Sequence, residues 1–135
     1  MRDKGFIPHS YKTGGPYPWE YHAASAIGTM EEGMALTMAD GKLVKATGAE
    51  KPNYIGMYRG NVADGDVIPV IQVDSGVTFE TTFAASAADV NVGDKVTIHT
   101  DGLQVTATTA SGVAEVIAKI DDNDEAGDRV LVRFT

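Results

Sequence analysis

The 135-residue chain has no cysteine and only three histidines, and these shortages exclude several kinds of site. Without cysteine there is no disulfide framework, no thiolate nucleophile and no cysteine-based zinc site. His9, His22 and His99 lie far apart in the sequence, so we expect neither a catalytic triad nor a His-rich metal site. No serine lies in a Gly-x-Ser-x-Gly elbow, and no phosphate-binding glycine motif is present. We therefore predict a protein that is not an enzyme and that has no cofactor.

Long apolar runs are also missing. No window approaches the roughly 18 consecutive apolar residues of a membrane-spanning helix. Residues 1–21 contain charges, proline and glycine where a signal peptide would have an apolar stretch. We expect neither a signal peptide nor a membrane span, and we predict no membrane partner.

The chain is poor in basic residues, and its charge is unevenly distributed. The formal net charge is −8 at pH 7. Residues 1–22 carry three Lys/Arg and two Asp/Glu, which leaves eight basic and 17 acidic residues in the remainder. Because proteins bind nucleic acid mainly by neutralising phosphates with Lys and Arg, this acidic body argues against a nucleic-acid partner.

Residues 1–26 are predicted to form an extended N-terminal arm, and residues 27–135 a β domain. Glycine and proline interrupt any helix or strand period in the arm, yet it holds five of the chain's ten aromatic residues. A segment that cannot build its own core is expected to pack such side chains onto another surface, either its own β domain or a partner subunit. We expect the β domain to fold without the arm. The predicted partner-binding residues are Phe6, Tyr11, Tyr17, Trp19 and Tyr21.

The remainder of the chain has the pattern of β-strands. Residues 76–83 alternate apolar and polar side chains, which is typical of a half-buried strand. Asp40-Gly41 and Asp101-Gly102 each lie between β-prone runs and predict tight hairpin turns. No window shows a sustained helical period.

An internal repeat relates the two halves of the β domain. Residues 31–47 align with residues 91–108, and Asp64 to Val70 align with Ala126 to Val132. Ile55 aligns with Ile117 in the same comparison, so we predict repeats at about 31–72 and 92–134. One β-meander cannot bury its apolar face alone, whereas two can close on each other. The predicted fold is therefore all-β: a single small barrel or sandwich made of two pseudo-repeated β-meanders. Its predicted core residues are Met34, Leu36, Leu43, Val44, Val67, Val70, Val96, Ile98, Val105, Val116, Val130 and Val132.

The acidic run from Asp121 to Asp128 is the one candidate for a metal site. Oxygen ligands alternate at Asp121, Asn123 and Glu125, as at the start of a calcium loop, but Gly127 comes one place late and no bidentate glutamate follows. We interpret the run as a solvated hairpin loop, with a weak cation site as the alternative, and predict no metal site.

Four segments resemble the small β-rich capsid decoration, or cementing, proteins of tailed bacteriophages. They are Glu32 to Thr37, Asp40 to Ala46, Ile55 to Met57 and Asp64 to Val70. The resemblance covers about residues 31–134.

The resemblance implies a virion structural protein on the outer face of the capsid. Its partner would be the major capsid protein, and the chain would form a homo-oligomer, with a trimer favoured. The alternative is a tail or fibre β-module that binds a receptor or carbohydrate through Tyr54, Tyr58 or Trp19. An enzyme that uses Asp64 and Asp66 as an acid pair is the least favoured hypothesis, because carboxylates in a turn normally cap strands.

Overall fold

The structure is a computed structural model that describes residues 5–12, 14–121 and 123–135. These residues form strands and no helix, which confirms the all-β prediction, and so the described part contains no helix that could cross a membrane. The strands are β1 (Ile7–Tyr11), β2 (Trp19–Ala23), β3 (Gly28–Met30), β4 (Met34–Ala39), β5 (Lys42–Lys45), β6 (Tyr54–Gly56), β7 (Gly60–Val62), β8 (Val67–Gln72), β9 (Val77–Thr82), β10 (Lys95–Val96), β11 (Ala114–Lys119) and β12 (Arg129–Phe134).

Two five-stranded antiparallel sheets form a sandwich-like arrangement. The sheet that we call the N-sheet has the order β2-β8-β6-β4-β5, and the C-sheet has the order β1-β9-β12-β11-β10. A separate two-stranded sheet pairs β3 with β7.

The strand order repeats between the two sheets, as the predicted pseudo-repeat requires. The run β2-β8-β6-β4 of the N-sheet matches β9-β12-β11-β10 of the C-sheet. An antiparallel bridge from Ile98 to Val105 then takes the place of the β4–β5 pairing. Parallel bridges join Ala24 to Leu43 in one half and Phe83 to Val105 in the other. Each half therefore curls so that the end of its first strand meets its last extended segment.

Backbone hydrogen bonds fix the register of this repeat. The Ala24 N–H donates to the Asp66 carbonyl (2.7 Å), and the Phe83 N–H donates to the Asp128 carbonyl (2.9 Å). Asp66 thus corresponds to Asp128, in the register that the sequence predicts. The repeat also reaches further upstream than predicted, because Ala24 corresponds to Phe83 and β2 to β9.

The predicted match of Ile55 with Ile117 is wrong by two residues. Gly56 lies opposite Val70, and Val116 lies opposite Val132, so the position of Gly56 corresponds to that of Val116. The register of β11 shifts between Val116 and Ala118 because a bulge adds a residue there. One further residue is added between Ala118 and Asp128, and an alignment by residue type alone detects neither of the two extra residues.

The apolar side chains form two buried clusters. The larger cluster includes Ile55 of the N-sheet together with Phe79 and Val132 of the C-sheet, so it fills the space between the sheets. The smaller cluster packs Met30 of β3 and Val62 of β7 against N-sheet residues such as Leu36, Leu43 and Val70. The N-sheet is therefore covered on both faces.

Ten of the twelve predicted core residues are buried; the exceptions are Val44, which is half-buried, and Val67, which is 65% exposed. Val67 is the first residue of β8, and its end of the strand is not covered, although Ile71 on the same face is fully buried. Its prediction as a core residue is wrong.

The described residues of the N-terminal arm are extended, but they are built into the β domain. β1 pairs with β9 and β2 pairs with β8, so each strand lies at the edge of a sheet. Phe6 is fully buried in the larger cluster. Of the two alternatives for the arm, the described residues show that it packs on its own domain. The expectation that the domain folds without the arm stays a prediction, although removing the arm would remove a core side chain and two edge strands.

Candidate partner-binding surface

Strand β2 presents two aromatic side chains to solvent. Trp19 is 51% exposed and Tyr21 is 68% exposed, and the two are separated by one residue, so both lie on the same face of the strand. On the adjacent strand β8, Val67 lies opposite Ala23, on the same face. We call Trp19, Tyr21 and Val67 the aromatic stripe.

The structure divides the five predicted partner-binding residues into two groups. Phe6 lies in the chain's own core and cannot contact a partner, so its prediction as a partner-binding residue is corrected. In an irregular segment, the sequence pattern does not distinguish a buried aromatic residue from an exposed one. Tyr11 and Tyr17 are partly buried against the core, with their rings stacked 6.1 Å apart. The Tyr11 hydroxyl donates to Asp74 Oδ2 (3.2 Å), which further fixes this pair. Only Trp19 and Tyr21 are well exposed.

The stripe also contains a residue that the sequence analysis missed. The sequence pattern predicts Val67 as a core residue, and it lies at the start of the apolar run that follows Asp66. Its exposure depends on how far along β8 the cover extends, since Ile71 on the same face is fully buried, and that is a property of the packed sheets. No signal in the single sequence distinguishes it from the buried Val70.

The opposite face of β2 carries a compact group of titratable side chains. His22 Nε2 and Glu20 Oε1 are 2.7 Å apart, and the Tyr54 hydroxyl donates to the same Glu20 oxygen (3.4 Å). The rings of His22 and Tyr54 lie 4.8 Å apart. Burial raises the pKa of Tyr54 above its usual value, and the neighbouring Glu20 carboxylate raises it further by its charge and hydrogen bond. These contacts hold the side chains of β2 in a fixed arrangement beneath the stripe.

A shallow cleft of about 340 Å³ lies beside Tyr54. It is lined by Met38, Lys51, Pro52, Asn53, Tyr54, Gln72 and Val73. Tyr54 lies opposite Gln72, whereas Trp19 lies opposite Ile71, so Tyr54 and Trp19 are on different faces of the N-sheet. The aromatics of the predicted carbohydrate platform therefore do not share one surface.

The acidic loop after β11 uses its carboxylates in internal hydrogen bonds. Arg129 Nη2 donates to Asp121 Oδ1 (2.9 Å) and Arg129 Nε to Asp121 Oδ2 (3.0 Å). These hydrogen bonds, with a further one from the Arg129 backbone, lower the pKa of Asp121 to about 2. Asp128 Oδ2 accepts from the backbone N–H groups of Asn123 and Glu125. Within the described residues no cluster of three or more His, Asp or Glu side chains is arranged to hold a metal ion, and Asp122 lies outside those residues.

No known protein family and no curated protein sequence matches this chain.

Proposed function

We propose that this protein is a virion structural protein that decorates or cements the outer surface of a bacteriophage capsid. The observation that carries the proposal is the aromatic stripe, in which Trp19, Tyr21 and Val67 are each more than half exposed on one face of two adjacent strands. Tryptophan and tyrosine are the side chains that most often dominate binding energy at protein interfaces. A cluster of exposed apolar side chains marks a surface that binds another protein.

The strand that carries the aromatic stripe is preorganised in the absence of a partner. β2 pairs with β8 along all five of its residues, and the contacts among Glu20, His22 and Tyr54 brace its other face. A preorganised strand loses little conformational entropy on docking, so more of the interaction energy appears as affinity.

The charge of the chain favours the outer face of the shell. The net charge of −8 would be repelled by packaged DNA on the inner side. The major capsid protein is the proposed partner, in agreement with the resemblance of residues 31–134 to decoration proteins.

Affinity is proposed to come from several copies acting together. Burying one large apolar side chain contributes about 1.5–3 kcal/mol, so one stripe provides a modest anchor. Linked copies bind far more tightly than one, because each further contact is intramolecular. We therefore propose a homo-oligomer, with a trimer as the expected state.

The test uses phage heads assembled without the protein. We expect the double variant Trp19→Ala/Tyr21→Ala to bind them at least about 30-fold more weakly than the wild type, because it removes two candidate hot-spot side chains. Val92→Ala is the matched control, since Val92 is 62% exposed in the turn before β10. Unchanged binding of the double variant would show that the stripe is not the anchor, and absence of wild-type binding would refute the proposed function.

The cleft beside Tyr54 favours a second candidate function, a tail or fibre module that binds a carbohydrate. Tyr54 offers an aromatic ring, and Asn53 and Gln72 offer amide groups of the kind that bind sugar hydroxyls. A glycan array would test this candidate: binding that Gln72→Ala abolishes, in a protein that does not bind heads, would favour it over capsid decoration.

A further inference from the structure

We propose that an extended segment of the partner protein pairs with the open edge of β2 as an additional antiparallel strand. The proposal rests on the proposed function for the identity of the partner, the major capsid protein. It goes beyond side-chain contact with the stripe, because the partner would also form backbone hydrogen bonds.

The internal repeat shows where such a strand would lie. β2 and β9 occupy equivalent positions, each paired with the last strand of its own half. In the C-sheet the other side of β9 is paired with β1. In the N-sheet no described strand pairs with the other side of β2 before the bridge at Ala24. Among the described residues, one of the two equivalent edges is therefore filled and the other is open.

The hydrogen-bond alternation identifies the backbone groups at the open edge. The Gln72 N–H donates to the Pro18 carbonyl and the Ala24 N–H to the Asp66 carbonyl, so even-numbered residues of β2 face β8. Trp19 and Tyr21 consequently direct their backbone groups away from β8. The Trp19 N–H bonds to the Tyr17 carbonyl, whereas the Tyr21 N–H and carbonyl point toward the open edge.

The same positions of β9 are those that β1 pairs with. Because Ala24 corresponds to Phe83, Tyr21 corresponds to Glu80 and Trp19 to Thr78. Glu80 lies opposite Ile7 of β1, and Thr78 lies opposite Ser10. The fold thus contains an internal example of the strand pairing that we infer at β2.

The two edges also differ in their protection against a further strand. β1, the outer strand of the C-sheet, contains Pro8 and a register shift between Pro8 and Ser10, both of which discourage pairing with another chain. β2 has neither proline nor lysine within Trp19–Ala23, and its register with β8 is regular. Natural sheet edges usually carry such protection, and β2 has the charged Glu20 but no proline or register shift, so its edge is less protected than that of β1, as fits an edge that is paired in the assembled state.

Charge favours a neutral or basic segment at the open edge of β2. The net charge of −8 would repel an acidic segment, whereas a neutral or basic segment of the capsid protein would not be repelled. β1 has no acidic residue within Ile7–Tyr11, which makes it an internal guide to the expected composition. We therefore infer an extended segment without acidic residues and with an apolar side chain that packs on Trp19 or Tyr21.

A pair of variants at one position tests for strand addition. Tyr21→Ala removes the side chain and keeps the N–H, whereas Tyr21→Pro also removes the N–H that faces the open edge. Proline is tolerated at such edge positions, and circular dichroism and thermal melting would confirm that both variants fold. We expect Tyr21→Pro to bind phage heads about tenfold more weakly than Tyr21→Ala, the loss expected for a backbone hydrogen bond. Equal binding by the two variants would overturn strand addition while leaving the proposed function intact.

Hydrogen exchange of the wild-type protein gives a second readout that needs no variant. On binding to heads, we expect the Tyr21 amide to become protected from exchange. Unchanged exchange at Tyr21 in the bound protein would refute strand pairing. Protection of Tyr21 in concentrated free protein would identify a second copy as the occupant and would overturn the assignment to a partner segment. Failure of the wild type to bind heads at all would refute the proposed function, and with it the identity of the partner.

Discussion

The rings of Phe6 and Phe134 lie 5.2 Å apart at an interplanar angle of 60°, in the tilted geometry that aromatic pairs favour. The contact joins the start of the described chain to β12, its last strand. Phe6 is also held by its backbone, because its N–H donates to the Gly33 carbonyl (2.8 Å). Phe6 is thus part of the domain's core, and the aromatic stripe follows it on a strand that is fixed in the same fold.

Replacing Phe6 with alanine is expected to destabilise the protein by about 3–5 kcal/mol, the usual effect of deleting a buried phenylalanine ring. Urea denaturation would measure the loss. Trp19→Ala provides the control, because the partly exposed Trp19 should affect stability much less. Equal stability of Phe6→Ala and the wild type would mean that the N-terminal segment does not pack on the core in solution.

Gly33 and Gly93 provide a matched test of the same packing. They have similar backbone angles, φ +94° and +98°. The Gly33 N–H donates to the Gly56 carbonyl in β6, and the Gly93 N–H donates to the Val116 carbonyl in the equivalent strand β11. A Cβ at Gly33 would lie 2.6 Å from the Phe6 backbone nitrogen, whereas a Cβ at Gly93 would meet nothing within 4 Å.

Both alanine variants should lose stability because alanine is strained at positive φ, by about 1 kcal/mol at Gly93. Gly33→Ala should lose considerably more, since it also displaces the backbone at Phe6. Thermal melting of the two variants would measure the difference. Equal losses would contradict the close approach of the N-terminal segment to Gly33.

The pair of Asp121 and Arg129 predicts a specific acid sensitivity. The pKa of Asp121 falls from 3.8 to about 2 in the folded protein, so the ionised carboxylate stabilises the fold above about pH 4. This contribution is lost as the pH falls from about 4 through 2. Asp121→Asn should therefore be less stable than the wild type at neutral pH, with a difference that shrinks over that range. Melting temperatures of both proteins between pH 2 and 7 would show it.

Asp89→Asn is the control variant, because Asp89 is exposed and its replacement should change the stability little. A gap between Asp121→Asn and the wild type that stays constant from pH 7 to 2 would contradict the role of the ionised pair.

Local patterning was sufficient to predict the β-meanders and most of the core. Alternation along β9 and the Asp-Gly turns are properties of neighbouring residues, and the repeat preserves them in both halves. The sequence does not predict the bulge in β11, because the apolar residues around it are compatible with either of two registers.

The surface was only partly predictable, because exposure depends on which faces the sheets cover. The sequence predicts the aromatic residues of the arm as a binding surface. That Phe6 is buried and Trp19 is exposed follows only from the placement of β1 and β2 in their sheets. The open edge of β2 is likewise a relationship between strands that are distant in the sequence.

Cryo-electron microscopy of phage heads, with and without the added protein, tests the central claim most directly. The account predicts additional density on the outer surface of the shell, with β2 turned toward the capsid protein and Trp19 and Tyr21 at the contact. Density on the inner surface, a copy bound with β2 facing solvent, or heads that gain no density would contradict it.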